Sequence, residues 1–239
     1  MYQMETEIPF VSAGKDGKLK LPEAVAMMAN CCQFQEYREV EFCRFLREND
    51  LAVFLFSLQV DILRMPEFRE KVTTAVKVYG CKSIYGLRRL TIRDEKGDLC
   101  LIANATGAFF DLKAGKAVKL TPETLPIKFD EAEAMECLPR KIPVPVSGGA
   151  EQEVFTVKNS HLDYNGHLSS PVYLAVATDI LPEKFTFDRV RVEYKKQALC
   201  KESIHPVLFL TGSTAVVDLR DKDGGSFAAV EFSTIAETL

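Results

Sequence analysis

Hydrophobic and polar positions recur with two different periods in the first part of the chain. Residues 5–12 have the composition of a short strand, and Gly14 and Gly17 mark the turn after it. From Leu21 to Leu46 the apolar residues recur with helical spacing, behind a proline suited to a first helical turn. An antiparallel meander is predicted for the β-branched and aromatic runs that follow, at residues 51–63, 70–80, 84–93 and 98–111.

The periodicity weakens between residues 112 and 150. This stretch contains five prolines from Leu120 onward and ends in Ser-Gly-Gly at residues 147–149. Its composition predicts a linker that lies on the surface of the protein rather than free in solvent. Residues 131–136 are predicted to form one short helical turn.

The order of elements then repeats. A strand is predicted at residues 153–158 and a polar loop at 159–169, followed by a shorter helix from Pro171 to about Leu181. The strands that complete this second part are predicted at residues 187–195, 203–213, 214–220 and 226–235.

The two parts also match in sequence. Three pairs of segments align in the same order: Gly17–Pro22 with Gly166–Pro171, Val60–Val72 with Val192–Ile204, and Arg93–Gly97 with Arg220–Gly224. Each match alone is weak, but three in one order are hard to obtain by chance. We therefore predict an α+β fold of two tandem hot-dog units, each a long helix wrapped by an antiparallel β-sheet. The first copy is placed at residues 1–120, the linker at 121–150 and the second copy at 151–239.

The composition excludes several classes of protein. The 239 residues carry a net charge of −4 and show no basic stripe, so a nucleic-acid-binding protein is not expected. The seven cysteines form no CxxC pair and are expected to be reduced, as in a cytoplasmic protein. We see no signal peptide and no apolar run long enough to span a membrane. A tandem pair completes its own sheet, so both a monomer and a homodimer are compatible with the sequence.

The two copies differ most in the polar loop before the second helix. The loop contains Asp163, Asn165 and His167, whereas Lys18 stands at the position of His167 in the first copy. In an extended stretch, this alternate spacing would place the three side chains on one side. The asymmetry predicts that the chemistry lies in the second copy.

These residue types suit the attack of water on an acyl carbon. The amide of Asn165 can donate to a carbonyl oxygen, and His167 can take a proton from water near neutral pH. Asp163 can fix the imidazole tautomer, and a nearby helix N-terminus offers N–H groups to an oxyanion. The alternative is an ordinary capped loop, because Asp, Asn and Gly are common turn residues.

The chain resembles the acyl-acyl carrier protein thioesterases, a family of double hot-dog enzymes. That family has a D-x-N-x-H-x-N-N-x-x-Y run, which here reads Asp163 to Tyr173 with serines at Ser169 and Ser170. Gly17–Leu21 before the long helix and the turn at Pro66-x-Phe68 also match. The resemblance covers nearly the whole chain.

The resemblance implies the release of a free fatty acid from acyl-acyl carrier protein, with its acyl-phosphopantetheine arm, in fatty acid biosynthesis. It implies neither a metal nor a cofactor. It assigns Asp163, Asn165 and His167 to catalysis and Ser169 and Tyr173 to substrate binding, with the first copy lining the acyl pocket. Basic clusters could receive the acidic carrier protein or its phosphate: Arg88, Arg89, Arg189, Arg191, Lys195 and Lys196.

One position departs from the family pattern. Where the family strand reads Y-R-R-E-C, this chain has Gln197 and Ala198 in place of the acid and the cysteine. A glutamine can orient water but cannot act as a base at neutral pH. Either His167 is the base and Gln197 positions water, or Glu193 or Glu202 substitutes, or hydrolysis is slow or absent.

Cys200 lies three residues beyond Gln197 and is interpreted as mainly structural. Two alternatives to the thioesterase therefore stay open: a non-catalytic acyl-binding or regulatory protein, and an enzyme that acts on acyl-coenzyme A.

Overall fold

The computed structural model describes residues 1–235, whose contacts divide into two compact units. The first unit comprises Met1–Lys20, Ala26–Leu58 and Ile62–Cys137, and the second comprises Leu21–Val25, Gln59–Asp61 and the residues from Leu138 onward. The predicted domain boundaries at residues 120 and 150 stay predictions. Within the described part, no helix combines the length and apolar character that crossing a membrane requires.

The first unit contains a meander of long strands beside a helix. Its elements in chain order are β1 (Tyr2–Glu7), α1 (Leu21–Arg38), α2 (Val40–Glu48), β2 (Leu51–Ile62), β3 (Lys71–Lys82), β4 (Tyr85–Asp94), β5 (Leu99–Asp111) and β6 (Lys116–Ala117), except that the first residues of α1 and three residues of β2 belong to the second unit. The strand order is β1-β3-β4-β5-β2, with β6 paired to β5. The apolar positions of β3 alternate as predicted, because Val72, Val76 and Val78 are buried on one face.

The long helix predicted from Leu21 to Leu46 is interrupted. Glu39 has φ −81° and ψ 75° and separates α1 from α2. The break exposes the carbonyl of Glu36, which accepts a hydrogen bond from the thiol of Cys43 at 3.0 Å. Beyond it, Phe42 and Leu46 turn into a buried cluster of the first unit. Burial of each such side chain stabilises a fold by about 1.5–3 kcal/mol, which favours the redirected chain over a straight helix.

The second unit repeats this plan with a shorter helix. Its elements are β7 (Ala150–Glu151), β8 (Phe155–Thr156), α3 (Ser170–Asp179), β9 (Arg189–Tyr194), β10 (Ser203–Thr211), β11 (Thr214–Arg220) and β12 (Ser226–Ser233). The strand order is β9-β12-β11-β10-β7, and β8 also pairs with β10. Helix α3 contacts β11 and β12, and its Tyr173, Leu174 and Ala177 are buried.

Three local predictions are wrong. Residues 131–136 form no helix and have no regular secondary structure; the side chain of Lys77 donates to the carboxylate of Glu133 at 2.9 Å. The strand predicted at residues 5–12 ends at Glu7, because Pro9 supplies no N–H for continued pairing. Of residues 153–158, only the two residues of β8 pair with a neighbouring strand.

The linker is hydrogen-bonded to the second unit beyond Cys137. The N–H of Leu138 donates to the amide oxygen of Gln59 at 3.0 Å, and Arg191 donates to the carbonyl of Pro139 at 2.6 Å. These bonds fix the linker backbone without giving it regular secondary structure.

Matching hydrogen bonds in the two copies confirm the predicted repeat. Each bond runs from a backbone N–H to a carbonyl and has an equivalent in the other copy. In the first copy the bonds are Gly14 to Lys18 (2.8 Å), Leu19 to Pro66 (2.8 Å), Arg69 to Ile8 (3.0 Å) and Gly97 to Asp94 (3.0 Å). In the same order, those of the second copy are Asp163 to His167 (2.8 Å), Leu168 to Ala198 (2.9 Å), Lys201 to Val157 (2.9 Å) and Gly224 to Asp221 (3.1 Å). The third pair also shares an unusual backbone, since Arg69 and Lys201 have φ of 68° and 70°. The two copies therefore have the same local backbone in all three matched segments.

Candidate functional site

The polar motif before α3 forms a tight turn. Leu162 and Leu168 pair across it, and Gly166 donates its N–H to the carbonyl of Asp163 at 3.0 Å. Gly166 has φ +78°, a left-handed conformation that glycine adopts without steric cost. The expectation of an extended stretch is therefore wrong, and the alternate spacing of Asp163, Asn165 and His167 does not by itself align their side chains.

Asp163 is part of the framework of this turn. Its Oδ1 accepts the backbone N–H groups of Asn165 at 2.8 Å and His167 at 3.2 Å. A carboxylate that accepts two N–H groups in this way stabilises a turn. Across residues 1–235 no hydrogen bond joins this carboxylate to the imidazole of His167, so its role in orienting the ring stays a prediction.

Three polar side chains near the turn are free to meet a ligand. Asn165 and Gln197 are exposed, and His167 is half-buried. In the described part of the chain, none of these three side chains has a hydrogen-bond partner. Their donors and acceptors are therefore available to a substrate or to water.

The backbone brings His167 and Gln197 to adjacent positions. The N–H of Leu168 donates to the carbonyl of Ala198 at 2.9 Å. Each of the two candidate residues immediately precedes one member of this pair. Gln197 lies in an irregular segment after β9, so its position depends on such contacts rather than on a sheet.

The N-terminus of α3 offers fewer donors than the sequence predicts. Pro171 has no N–H, and the N–H of Val172 donates to the carbonyl of Ser169 at 2.9 Å. Ser169 is the N-cap residue, but its hydroxyl makes no capping hydrogen bond. The amide of Asn165 is therefore the better candidate for donating to a developing oxyanion. The assignment of Ser169 to substrate binding stays a prediction.

Tyr173 is buried beneath the turn, with 3% of its surface exposed. Its hydroxyl accepts the N–H of Ala198 at 2.9 Å and lies 3.5 Å from the carbonyl of Lys196. Burial raises the pKa of Tyr173 to about 12, and the nearby carboxylates of Glu202 and Asp163 act in the same direction. Its assignment to substrate binding stays a prediction, since its hydroxyl already has backbone partners.

Tyr194, which matches the tyrosine of the family's Y-R-R-E-C strand, supports Tyr173. The rings of Tyr173 and Tyr194 pack edge to face with centroids 5.7 Å apart. The hydroxyl of Tyr194 lies 3.4 Å from the carbonyl of Ser170, at the start of α3. Burial raises the pKa of Tyr194, so both phenols stay neutral. No spacing motif reports this contact; only the aromatic residue at the end of a predicted strand hints at it.

The other candidate bases and the candidate nucleophile have structural partners. Glu193 accepts the N–H of Ile142 at 3.0 Å, and Glu202 accepts that of Leu199 at 2.6 Å. Cys200 donates its thiol to the side chain of Asn159 at 2.9 Å.

Glu202 also has an equivalent in the first copy. There Glu70 accepts the N–H of Glu67 at 2.9 Å, in a loop without histidine. A carboxylate with the same role in both copies has a structural function rather than a catalytic one.

Most of the predicted basic residues are not available to a partner. Arg89, Arg189 and Arg191 are buried, and Arg189 forms a bidentate pair with Asp61 in which both N–O distances are 2.7 Å. Arg88 pairs with Glu36 at 2.7 Å. Their interpretation as a docking surface is wrong, because these guanidinium groups are held inside the units. Two lysines remain exposed beside the candidate site, although both pair with a carboxylate, Lys195 with Glu193 at 4.0 Å and Lys196 with Asp221 at 3.1 Å.

One cluster in the first unit has the residue types of a metal site. Potential ligand atoms of Glu70, Asp94 and Cys100 lie within 4.8 Å of one another. Arg64, however, contacts both carboxylates, at 2.5 Å and 2.7 Å. Because its guanidinium already binds an oxygen of each carboxylate, the cluster is a salt-bridge network.

Comparisons with known proteins agree with this architecture. The model of the acyl-ACP thioesterase N-terminal domain matches residues 1–127. No curated protein matches the sequence. A proposed oleoyl thioesterase from Lactobacillus plantarum has a TM-score of 0.85 at 18% identity, over 97% of this chain and 94% of its own.

Two further structures are similar over 97% of this chain and 96% of their own. An acyl-ACP thioesterase from Bacteroides thetaiotaomicron has a TM-score of 0.77 at 16% identity. A 12:0-ACP thioesterase from Umbellularia californica has a TM-score of 0.79 at 13% identity. At such low identities these similarities establish the fold, and they confirm the predicted combination of helices and antiparallel sheet in a tandem hot-dog.

Proposed function

This chain belongs to the acyl-ACP thioesterase family, and we propose that it hydrolyses fatty acyl-acyl carrier protein with the turn at residues 162–168 as its active site. The observation that supports this site is the set of three free polar side chains, Asn165, His167 and Gln197, on adjoining backbone segments. The equivalent turn of the first copy has Lys18 in place of the histidine.

In the proposed reaction, His167 takes a proton from water as the water oxygen attacks the thioester carbonyl. The amide NH₂ of Asn165 donates to the oxyanion that forms. When the tetrahedral intermediate collapses, the carbon–sulfur bond breaks and the imidazolium returns its proton to the leaving thiolate. The products are a free fatty acid and the carrier thiol, and no metal or cofactor takes part.

Gln197 has the role of a water-positioning residue. Its amide can donate to and accept from water but cannot take the proton at neutral pH. The family resemblance puts an acid at this position, so the base function here falls to His167. This division of roles predicts that the reaction depends on the imidazole of His167.

The carrier protein is the favoured substrate. Lys195 and Lys196 are exposed beside Gln197, where they can attract an acidic partner. All seven cysteines are free thiols, which supports a reducing compartment such as the cytoplasm. We place the reaction in fatty acid biosynthesis, where acyl-acyl carrier protein is formed. Monomer and homodimer are both compatible with this proposal.

A second candidate is an acyl-binding protein that does not hydrolyse its ligand. The observation that favours it is Gln197, an exposed amide where the family resemblance puts a carboxylate. This candidate predicts acyl-carrier binding without turnover.

The test is hydrolysis of acyl-carrier-protein and acyl-coenzyme A thioesters by the wild type, His167→Ala and Gln197→Glu. The enzyme proposal expects wild-type turnover, faster on the carrier protein, and loss of turnover in His167→Ala. An inactive wild type that Gln197→Glu activates would favour the binding protein. Turnover that His167→Ala leaves unchanged would refute the site.

A further inference from the structure

One buried hydrogen bond lies next to Gln197 in the second copy and has no equivalent in the first copy. The N–H of Ala198 donates to the hydroxyl of Tyr173 at 2.9 Å, and the carbonyl of Lys196 lies 3.5 Å from the same oxygen. Ala198 is fully buried and Tyr173 nearly so. Both neighbours of Gln197 in the chain are therefore held by one phenol, while Gln197 itself faces solvent.

The first copy lacks both halves of this bond. The residues that match Tyr173 and Ala198 are Ala24, which has no hydroxyl, and Pro66, which has no N–H. The neighbouring bond is nevertheless present, because Leu19 donates to the carbonyl of Pro66 at 2.8 Å. The fold thus forms without a phenol at this position, and the bond is extra to what the scaffold requires.

A hydroxyl that the scaffold does not need, placed against the segment of a candidate site residue, points to a role in that site. We propose that Tyr173 is a positioning residue for the thioester hydrolysis, which holds residues 196–198 so that Gln197 keeps its place beside His167. This inference rests on the proposed function. Tyr194 assists by packing edge to face on Tyr173.

The proposal has a physical basis in the irregular backbone around Gln197. Residues 195–199 form neither helix nor strand. The N–H groups of Lys195 and Lys196 donate to the carbonyl of Phe227 at 2.8 Å and 3.1 Å, but no sheet ladder continues beyond them to Ala198. Without the hydroxyl, the N–H of Ala198 would be buried and unpaired, which favours displacement of the segment toward water. A displacement of about 1 Å at a reacting group can cost up to about 100-fold in rate.

The test is the variant Tyr173→Phe, which removes only the hydroxyl. We expect kcat to fall about 10- to 100-fold with KM changed less than about twofold, because the water-positioning geometry is lost and substrate binding is not. Tyr79→Phe is the matched control. It removes a hydroxyl whose acceptor, Asn104, also belongs to the first unit, and is expected to keep the wild-type kcat.

A double-mutant cycle with Gln197→Ala distinguishes positioning from general destabilisation. If Tyr173 acts through Gln197, Tyr173→Phe has no further effect on kcat once Gln197 is alanine. Independent losses that multiply would overturn the proposal, as would a Tyr173→Phe enzyme with wild-type kcat.

If Tyr173→Phe does not fold, the double change Tyr173→Phe with Ala198→Pro replaces it in the cycle. The proline removes the unpaired N–H, as Pro66 does in the first copy. Recovery of the full wild-type kcat in this variant would overturn the proposal, because the hydroxyl would then only satisfy the N–H.

The outcomes also separate this inference from the proposed function. An active wild type combined with an unaffected Tyr173→Phe refutes the positioning role and leaves the function standing. A wild type that hydrolyses no acyl thioester refutes both.

Discussion

The turn at residues 13–19 and the turn at 162–168 share one backbone conformation but carry different side chains. Gly17 and Gly166 have φ of 77° and 78°, and in both turns the residue after the glycine accepts the N–H that closes the loop. Lys18 is that residue in the first copy and His167 in the second. The comparison distinguishes residues that stabilise the turn from residues whose side chains the turn leaves available to a ligand.

The position of the carboxylate is the most informative difference. In the first copy, Asp16 accepts the N–H of Lys18 at 3.1 Å, and a Cβ added at Gly14 would lie 2.9 Å from the Asp16 carboxylate. In the second copy the carboxylate comes from Asp163, which matches Gly14. The position matching Asp16 is thereby released, and Asn165 occupies it. Asp163 thus stabilises the turn, and the side-chain amide of Asn165 is not needed for that purpose.

Of the changes at the carboxylate positions, the largest effect is expected from exchanging the residue types at the matched positions 165 and 16. Asn165→Asp removes the NH₂ donor and is expected to lower kcat about 100- to 1,000-fold, as loss of an oxyanion donor does. Asp16→Asn in the first copy keeps an oxygen for the Lys18 N–H and is expected to leave kcat unchanged. Steady-state hydrolysis of acyl-acyl carrier protein measures both. Equal losses in the two variants would remove the distinction between the copies.

A smaller effect is expected from removing either carboxylate. Asp163→Ala and Asp16→Ala each leave turn N–H groups without their acceptor, which is expected to cost about 1–2 kcal/mol of unfolding free energy. Urea denaturation measures this loss, and the same preparations measure turnover. We expect reduced turnover for Asp163→Ala alone. A stability loss confined to one copy would contradict a shared framework.

The two turn glycines should respond alike. Gly166→Ala and Gly17→Ala place a Cβ on a left-handed residue, and each is expected to cost about 1 kcal/mol in unfolding free energy. Because neither Cβ would meet an atom within 4 Å, the cost is conformational rather than steric. Thermal or urea unfolding of the two variants provides the measurement. A difference above about 1 kcal/mol between them would show that the turns are not equivalent.

The smallest effect concerns acid stability at the hairpin turns. Hydrogen bonds from Arg64 lower the pKa of Glu70 and of Asp94, and one from Lys196 lowers the pKa of Asp221. Carboxylates whose folded pKa lies below the unfolded value, near 4, stabilise the fold above that value and lose this contribution as pH falls through the folded pKa.

Arg64→Met, which removes the partner of two carboxylates, is therefore expected to lower the urea midpoint more than Lys196→Met at pH 6. The effect of each change should be smaller at about pH 2 than at pH 6, because the contribution is lost as pH falls from the unfolded pKa near 4 through the lowered folded pKa. Urea titrations at the two pH values provide the measurement. A deficit of Arg64→Met that persists unchanged at the lower pH would contradict the ionic origin of the effect.

Features with local causes could be predicted from the sequence. The positions of most strands, the hairpin turn at Asp94–Gly97 and the repeat follow from alternation and turn chemistry, and the structure has them. The break at Glu39 could not be predicted, because neither glycine nor proline marks it. Its cause is the packing of Phe42 and Leu46 into a buried cluster of residues that are distant in sequence.

The site shows the same limit. The types of residue at Asn165 and His167 indicated the location, but the partners of Asp163 depend on a turn that the motif alone does not define. The bond from Ala198 to Tyr173 joins residues 25 positions apart, so only the folded chain reveals it. Sequence spacing therefore predicts the residue types of a candidate site, whereas the hydrogen bonds around it are visible only in the folded chain.

The central claim is that catalysis belongs to the second copy, and a reciprocal exchange tests it directly. The measurement is kcat/KM for acyl-acyl carrier protein in His167→Lys and in Lys18→His. The account predicts a loss of about 100- to 10,000-fold in the first variant and a wild-type value in the second, because the imidazole at position 167 is the general base. Wild-type kcat/KM in His167→Lys, or an equal loss in both variants, would contradict it.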